Sequence, residues 1–459
     1  MVELHLALIA VAMAMILFGT RRFLLDVESE DGRAVLSTFF FSLWLVATAV
    51  WGPRFFTAKI PGLFDMTVER GLFILVALGF LWDILVNGRR YPTGTMAAET
   101  LMACFSAMCI ISMAHYGFGS SLRNYPSPWY LFMNGYLLPF MAFAFAKCYL
   151  TRTSTITVLF HTLFYLGVYL SITAFFEFFE LKQFVFPRYI EDQLIWLHLD
   201  RARGPFLNAA FNGLAINIGF ICGVHLLSVK QGMRKFAYIL LLSLFFPAVF
   251  FTQTRSVYLG FLITLVALAC LYRTSFPKWK VLAFPTACVL TFIAFNLPRL
   301  MSADRRQGGV FQMLEVDERL ALIKRSFLMF FDHPFLGVGA GRFMVASEDY
   351  KGMVQIPAVY SEITQHNHIL GMLVELGVLG GILYLGIVAI FFRHLYLLAD
   401  RVPESGLVGS NLLLCLAVGL IVYLNNNLFV EPTYFLFVNL VFFTFAGVSE
   451  GLYNRFSRD

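Results

Sequence analysis

Two histidines flank an asparagine at His366–Asn367–His368, and a long apolar run starts directly behind them. A neutral imidazole titrates near pH 7, so such a histidine can take a proton from a hydroxyl as a general base. A bare H-x-H at the start of a membrane helix can equally sit among headgroups. Metal binding would need His366, His368, Glu362 or His333 as ligands, and their spacing is loose for that. Read as a continuous helix, two residues are about 200° of rotation. On that reading only one histidine faces a given site. Asn367 is expected to orient it or to bond the helix start.

Arginine supplies the second kind of chemistry. Phe250–Gly260 reads FFTQTRSVYLG, so two apolar spans meet with almost no loop and Arg255 stands at the turn. A charge at the edge of a bilayer core is costly, and it usually faces a cavity, pairs, or snorkels to headgroups. The guanidinium fork suits phosphate, and Thr252, Gln253, Thr254 and Ser256 add hydrogen-bonding groups. A longer polar segment carries Arg319, Lys324 and Arg325. There Leu320, Ile323, Phe327, Phe330 and Phe331 recur at helical spacing, and Asp317 is placed to cap the helix. That helix is expected to rest on the bilayer interface with its basic residues on headgroups. Pro334–Phe343 follows, with three glycines at alternate positions. A nucleotide site would need a strand before them and a helix after them. The glycines instead read as a turn that lets backbones pack closely. Glu375 is a carboxylate inside an apolar span, either functional or paired within the bundle.

The elements that hold these residues are membrane helices. Of the 459 residues 59% are hydrophobic and 14% charged, against about 25% charged in soluble domains. Apolar runs of about 20 residues span a bilayer. Such runs fall near 4–19, 35–52, 71–87, 95–115, 128–147, 156–179, 209–228, 236–252, 256–272, 281–297, 368–392, 407–424 and 434–449. The expected fold is all-α and polytopic, with 12–13 transmembrane helices. The charges Arg21 and Arg22 follow the first run, opposite to a signal peptide, so a retained helix is expected there. All seven cysteines lie in apolar runs and imply no disulfide framework. The net charge of +6 is spread over short loops, which suggests topology and anionic lipid and argues against nucleic acid.

One set of short loops carries Arg21, Arg22, Arg33, Arg89, Arg90, Lys147, Arg152, Lys230, Arg234, Lys235, Arg273, Lys278, Lys280, Arg393, Arg401, Arg455 and Arg458. The opposite set carries Arg54, Lys59, Arg70, Arg123 and Arg255. The richer set is expected in the cytoplasm. The long loops, about 180–208 and 298–367, then lie outside with the histidines and Arg255. The chain divides by sequence into 1–200, a catalytic region 201–395 that includes loop 298–367, and 396–459.

At these residues the sequence resembles the bacterial O-antigen ligase and polymerase superfamily. His366–Asn367 is followed by nine residues and then by Gly377-Val-Leu-Gly380-Gly381, similar to the ligase pattern. TQTRSVYLG, ERLALIKRSFLMFFDHPFLGVGAGRF and RARGPFLNAAFNGLA are similar to other family segments, with Ile323 where tryptophan is common. The convincing likeness covers about 200–395. It implies a GT-C-like membrane glycosyltransferase with a long helical periplasmic loop, in the bacterial inner membrane. The donor it implies is an undecaprenyl-diphosphate-linked glycan, with Arg255 and Arg319 on the diphosphate and His366 as base. Asn367, Arg203, Arg342 and His368 are supporting candidates, and Arg305, Arg306 and Arg325 are further arginines of the loop. The acceptor would be a glycan or the lipid A core, with inversion at the anomeric carbon, and no metal or other cofactor is implied. A ligase, a polysaccharide polymerase and a protein-glycosylating branch share these residues. A transporter would also have a dozen spans, but internal repeats are missing and the polar clusters gather at one face.

Overall fold

The computed structural model describes residues 30–59, 65–119, 125–195, 198–272, 313–354 and 365–457. The helices are α1 (Glu30–Val50), α2 (Val68–Leu85), α3 (Ala97–Tyr116), α4 (Pro128–Tyr149), α5 (Thr153–Phe178), α6 (Ala209–Leu227) and α7 (Gly232–Phe251). They continue with α8 (Arg255–Leu271), α9 (Met313–Asp332), the short α10 (Phe343–Ser347), α11 (His368–Leu398), α12 (Ser410–Asn427) and α13 (Leu436–Phe456). A two-residue hairpin pairs Thr57–Ala58 with Met66–Thr67. The protein is an all-α polytopic membrane protein. Among the described residues nine helices are long and apolar enough to cross a bilayer. The expected spans at 71–87 and 256–272 are also helical, as α2 and the shorter α8. The expected spans at 4–19 and 281–297 lie outside the described residues, as do Arg21, Arg22, Arg123, Arg273, Lys278, Lys280, Arg305, Arg306, Glu362 and Arg458.

The bundle is held by close helix pairs. A Cβ on Gly167 of α5 would come within 2.9 Å of the Gly219 Cα of α6, so these two backbones touch. Small residues permit that approach where lipid supplies no hydrophobic drive. Helix α13 packs along α4, and α11 along α3. Phe41, Phe105, Phe143, Phe160, Phe164, Phe211 and Phe245 are fully buried between helices. The abundant phenylalanine therefore fills the interior of the bundle as well as its surface.

Helix α9 starts at Met313, four residues before the expected cap, so Asp317 lies inside the first turns. Its protein-facing side is Leu322, Arg325, Ser326 and Met329, all buried, while Leu320, Phe327 and Phe331 are exposed. The apolar periodicity therefore marks the outward face. Helix α11 runs through residue 395, so the division there belongs to the sequence and not to the fold.

Candidate functional site at one end of the helices

Helix α11 begins at His368. Asn367 caps it, its Oδ1 accepting from the Leu370 N–H at 3.0 Å. His366 stands outside the helix in the left-handed region, φ 50°, a conformation histidine adopts more readily than most residues. The 200° separation expected of a continuous helix therefore does not apply, and both rings lie near one carboxylate. The His368 Nδ1 lies 2.9 Å from Glu431 Oε1, and both side chains are buried. The Gln365 Nε2 donates to the other oxygen, Oε2, at 2.8 Å. The Thr433 backbone N–H and hydroxyl also donate to Glu431, at 3.2 and 2.8 Å. Burial pushes the Glu431 carboxyl up, but His368 and these hydrogen bonds outweigh it and hold the group below its usual range. Burial lowers the His366 pKa to about 4; the Arg319 guanidinium pushes in the same direction and Glu431 opposes both. At pH 7 His366 is a neutral imidazole able to accept a proton.

Helix α9 brings Arg319 to this point, its Cζ 5.9 Å from the ring centre of Phe429. Phe429 and Glu431 belong to one short turn between α12 and α13. The same turn region reaches the arginine corner: the Ser256 hydroxyl donates to Asn426 Oδ1 at 3.2 Å, and Asn425 Nδ2 donates to the Ser256 carbonyl at 3.0 Å. Arg255, one residue before Ser256, is exposed at the start of α8. The segment 425–433 thus ties together the corner of Arg255, the Arg319 helix and the two histidines.

Behind the histidines lies a small cavity lined by Tyr136, Gln365, His368, Gly371, Glu375 and Glu431, among others. Its space for water centres is ≈ 30 Å³, enough for about two waters and too little for a sugar. His368 lines it and stacks near Tyr136, ring centres 6.2 Å apart. Tyr136 belongs to a π-helical turn at Met133–Leu137 inside α4, a feature often found at functional sites.

The glycine segment packs against the back of the same helix. Helix α11 is interrupted at Gly377, φ 64°, ψ −169°. The interruption frees backbone groups, and the 334–343 segment takes them. Val338 N–H donates to the Val374 carbonyl at 2.9 Å and Gly339 N–H to the Glu375 carbonyl at 3.0 Å. The Val378 N–H returns to Pro334 O at 2.8 Å. The Glu375 carboxylate accepts from the Gly341 and Phe343 N–H groups at 2.8 and 3.1 Å. A Cβ on Gly337 would meet the Glu375 carbonyl carbon at 2.3 Å. The glycines serve close backbone packing, as the sequence suggests, and Glu375 is paired within the fold.

Three other arginines are placed in scaffolding. Arg203 is buried, and its guanidinium donates to the backbone carbonyls of Ile190, Ile195 and Asp192. Arg342 donates to the Tyr116 carbonyl and lies over the Tyr116 ring. Arg325 donates to Ser347 Oγ at 2.8 Å and to the Val354 carbonyl. These contacts tie outer loops together and do not bring the three to the histidines. Glu431, Gln365 and Phe429 carried no signal in the sequence reading. Among the described residues no group of three or more His, Cys, Asp or Glu is placed to hold a metal ion.

The fold and the site define a polytopic α-helical membrane protein with histidine, arginine and a buried carboxylate gathered at one end of its helices. Residues 239–385 match the family model described as O-antigen ligase. That region holds Arg255, Arg319 and both histidines, and the match supports the O-antigen ligase and polymerase superfamily. No curated protein matches the chain.

Proposed function

We propose that the protein is a glycosyltransferase of the O-antigen ligase type, acting at the periplasmic face of the bacterial inner membrane. It moves a glycan from undecaprenyl diphosphate to an acceptor hydroxyl on the lipid A core. The observation that carries this reading is a buried, neutral His366 that feels both the Arg319 cation and the Glu431 carboxylate, with His366 and Arg319 inside the matched region. The His366 imidazole accepts the acceptor's proton as its oxygen bonds to the anomeric carbon. The bond from that carbon to the phosphate oxygen breaks, and its electron pair leaves on the diphosphate. Attack from the face opposite the leaving group inverts the anomeric centre, and neither metal nor nucleotide enters the reaction. Arg319 and Arg255 stabilise the charge that gathers on the leaving group. The remaining interactions position these groups: Glu431 holds His368, Asn367 fixes the start of α11, and Phe429 lies under Arg319.

A second assignment has its own support. His368 is bonded through Nδ1 to a buried carboxylate and lines a cavity, an arrangement that orients an imidazole for base catalysis. One experiment separates the two. Purified protein is given undecaprenyl-diphosphate glycan with either lipid A core or further lipid-linked repeat as acceptor. Wild type, His366→Ala and His368→Ala are compared. Loss of about 10²–10⁴-fold in His366→Ala, the usual worth of a general base, with a smaller loss in His368→Ala supports the first assignment. The reverse order supports the second. Product on the lipid-linked repeat in place of the core identifies a polymerase, and full turnover in both variants sinks the histidine chemistry.

A further inference from the structure

A second cleft lies across the glycine segment from the histidines. It has a volume of ≈ 360 Å³ and is lined by Tyr116, Asp332, His333, Asp349, Tyr350 and Met353, with Val338 and Ala346 at its floor. That volume falls in the usual range for small-molecule sites, about 300–1,000 Å³. The segment 338–341 is shared by both spaces: Val338 lines the cleft, while Ala340 and Gly341 line the cavity beside His368.

We propose that this cleft binds a neutral or amino-bearing sugar ring of the glycan substrate, across the 338–341 segment from the His368 cavity. This rests on the glycosyl-transfer reading. The lining has the chemistry a pyranose requires. The Tyr116 ring packs against Gly339, where a Cβ would come within 2.8 Å of it. It offers a fixed apolar face for the C–H side of a sugar. Tyr350 is buried and its hydroxyl donates to Asp332 Oδ2 at 2.6 Å, which orients that carboxylate. Carboxylates accept hydrogen bonds only, so Asp332 and Asp349 would take up sugar hydroxyls or an ammonium group. Met353, 70% exposed at the rim, is a soft apolar side chain that adapts to irregular ligands. Asp332 and Asp349, both exposed, make this wall less favourable to phosphates and uronates than the Arg255 and Arg319 side, by an amount that salt reduces.

The test uses the full chain in lipid nanodiscs and saturation-transfer NMR with millimolar chitobiose, lactose or glucuronate as probes. Chitobiose or lactose is expected to bind, with glucuronate weaker. Asp349→Asn should weaken binding about fivefold or more, the equivalent of a lost hydrogen bond. Met353→Trp, which fills the rim from an exposed position, should do the same without touching the bundle. His366→Ala should bind as wild type does. Equal binding in all variants, preference for glucuronate, or no binding to wild type overturns the proposal. In transfer assays a raised KM of Asp349→Asn for one substrate identifies it as donor or acceptor. If wild type binds sugars with these variant effects but transfers nothing, the transfer reading fails and the cleft stands. If Asp349→Asn transfers with unchanged KM values, the cleft fails and the transfer reading stands.

Discussion

His366 is neutral at pH 7 because burial and a neighbouring cation both penalise its charged form. Two outcomes follow. The unfolded side chain binds a proton below about pH 6.5, whereas the folded one waits until about pH 4. Between these values the unfolded state holds more protons, so stability rises with pH through that window and this contribution is flat above it. Compared by thermal unfolding in detergent, wild type should gain stability relative to His366→Asn as pH rises from 4 to 7. For activity, kcat/KM reports the free enzyme, so its acid limb should lie near pH 4 in the His366 assignment. Once the donor diphosphate has neutralised Arg319, protonation becomes easier and the kcat limb should move to higher pH. A kcat limb at or below the kcat/KM limb would exclude Arg319 as the diphosphate ligand.

Among the elements, α11 and the 334–343 segment behave as one piece. Gly377→Ala would place a Cβ 2.2 Å from the Phe335 carbonyl oxygen at a φ of 64°. A left-handed non-glycine residue alone costs about 1–3 kcal/mol, and the clash adds to it. A fall in melting temperature with loss of transfer is expected, whereas Gly352→Ala meets nothing within 4 Å and should change neither. A Gly377→Ala protein with unchanged melting and turnover would refute the coupling. The spacing Gly377, Gly380, Gly381 was legible in the sequence because glycine in a membrane span already signals close approach. What each glycine meets was not, since the Phe335 carbonyl comes from another segment. Glu431 was hidden for a similar reason. It lies 63 residues from His368 in a turn with no periodicity, and only the packing of α12 against the rest of the bundle makes them neighbours. Helical periodicity in α9 was visible, but apolar residues at a membrane surface point outward as readily as inward. The outward apolar face agrees with a helix resting on a surface, whereas Arg325, expected on headgroups, is buried on the inner face.

For the molecule as a whole, side-chain bonds between helices sort into two ends. Tyr189 with Val50, Arg342 with Tyr116, Ser256 with Asn426 and His368 with Glu431 lie at the outer end inferred from loop charges. Lys147 with Glu99, Thr95 with Glu450, His394 with Glu450 and His225 with Leu407 lie at the other. None of these pairs joins opposite ends, so the packing agrees with the alternation of loops that the Lys and Arg distribution implies. Helix α11, 31 residues long with its break at Gly377, rises at most about 46 Å, well over the ~30 Å of a hydrocarbon core, and so carries the chain from the histidines to the opposite side. Lys351 and Ser405, both exposed on the two sides of that helix, test the orientation. Among the described residues the Lys351 side chain is held by an exposed ion pair with Glu348, worth little to stability. On intact cells with the outer membrane made permeable, a thiol reagent that cannot cross the inner membrane should label Lys351→Cys above the wild-type background. Ser405→Cys should react only after that membrane is opened. The opposite pattern would put the histidine site in the cytoplasm. A lipid-diphosphate donor presented on the periplasmic leaflet could not reach it there, and the proposed reaction would have to be abandoned.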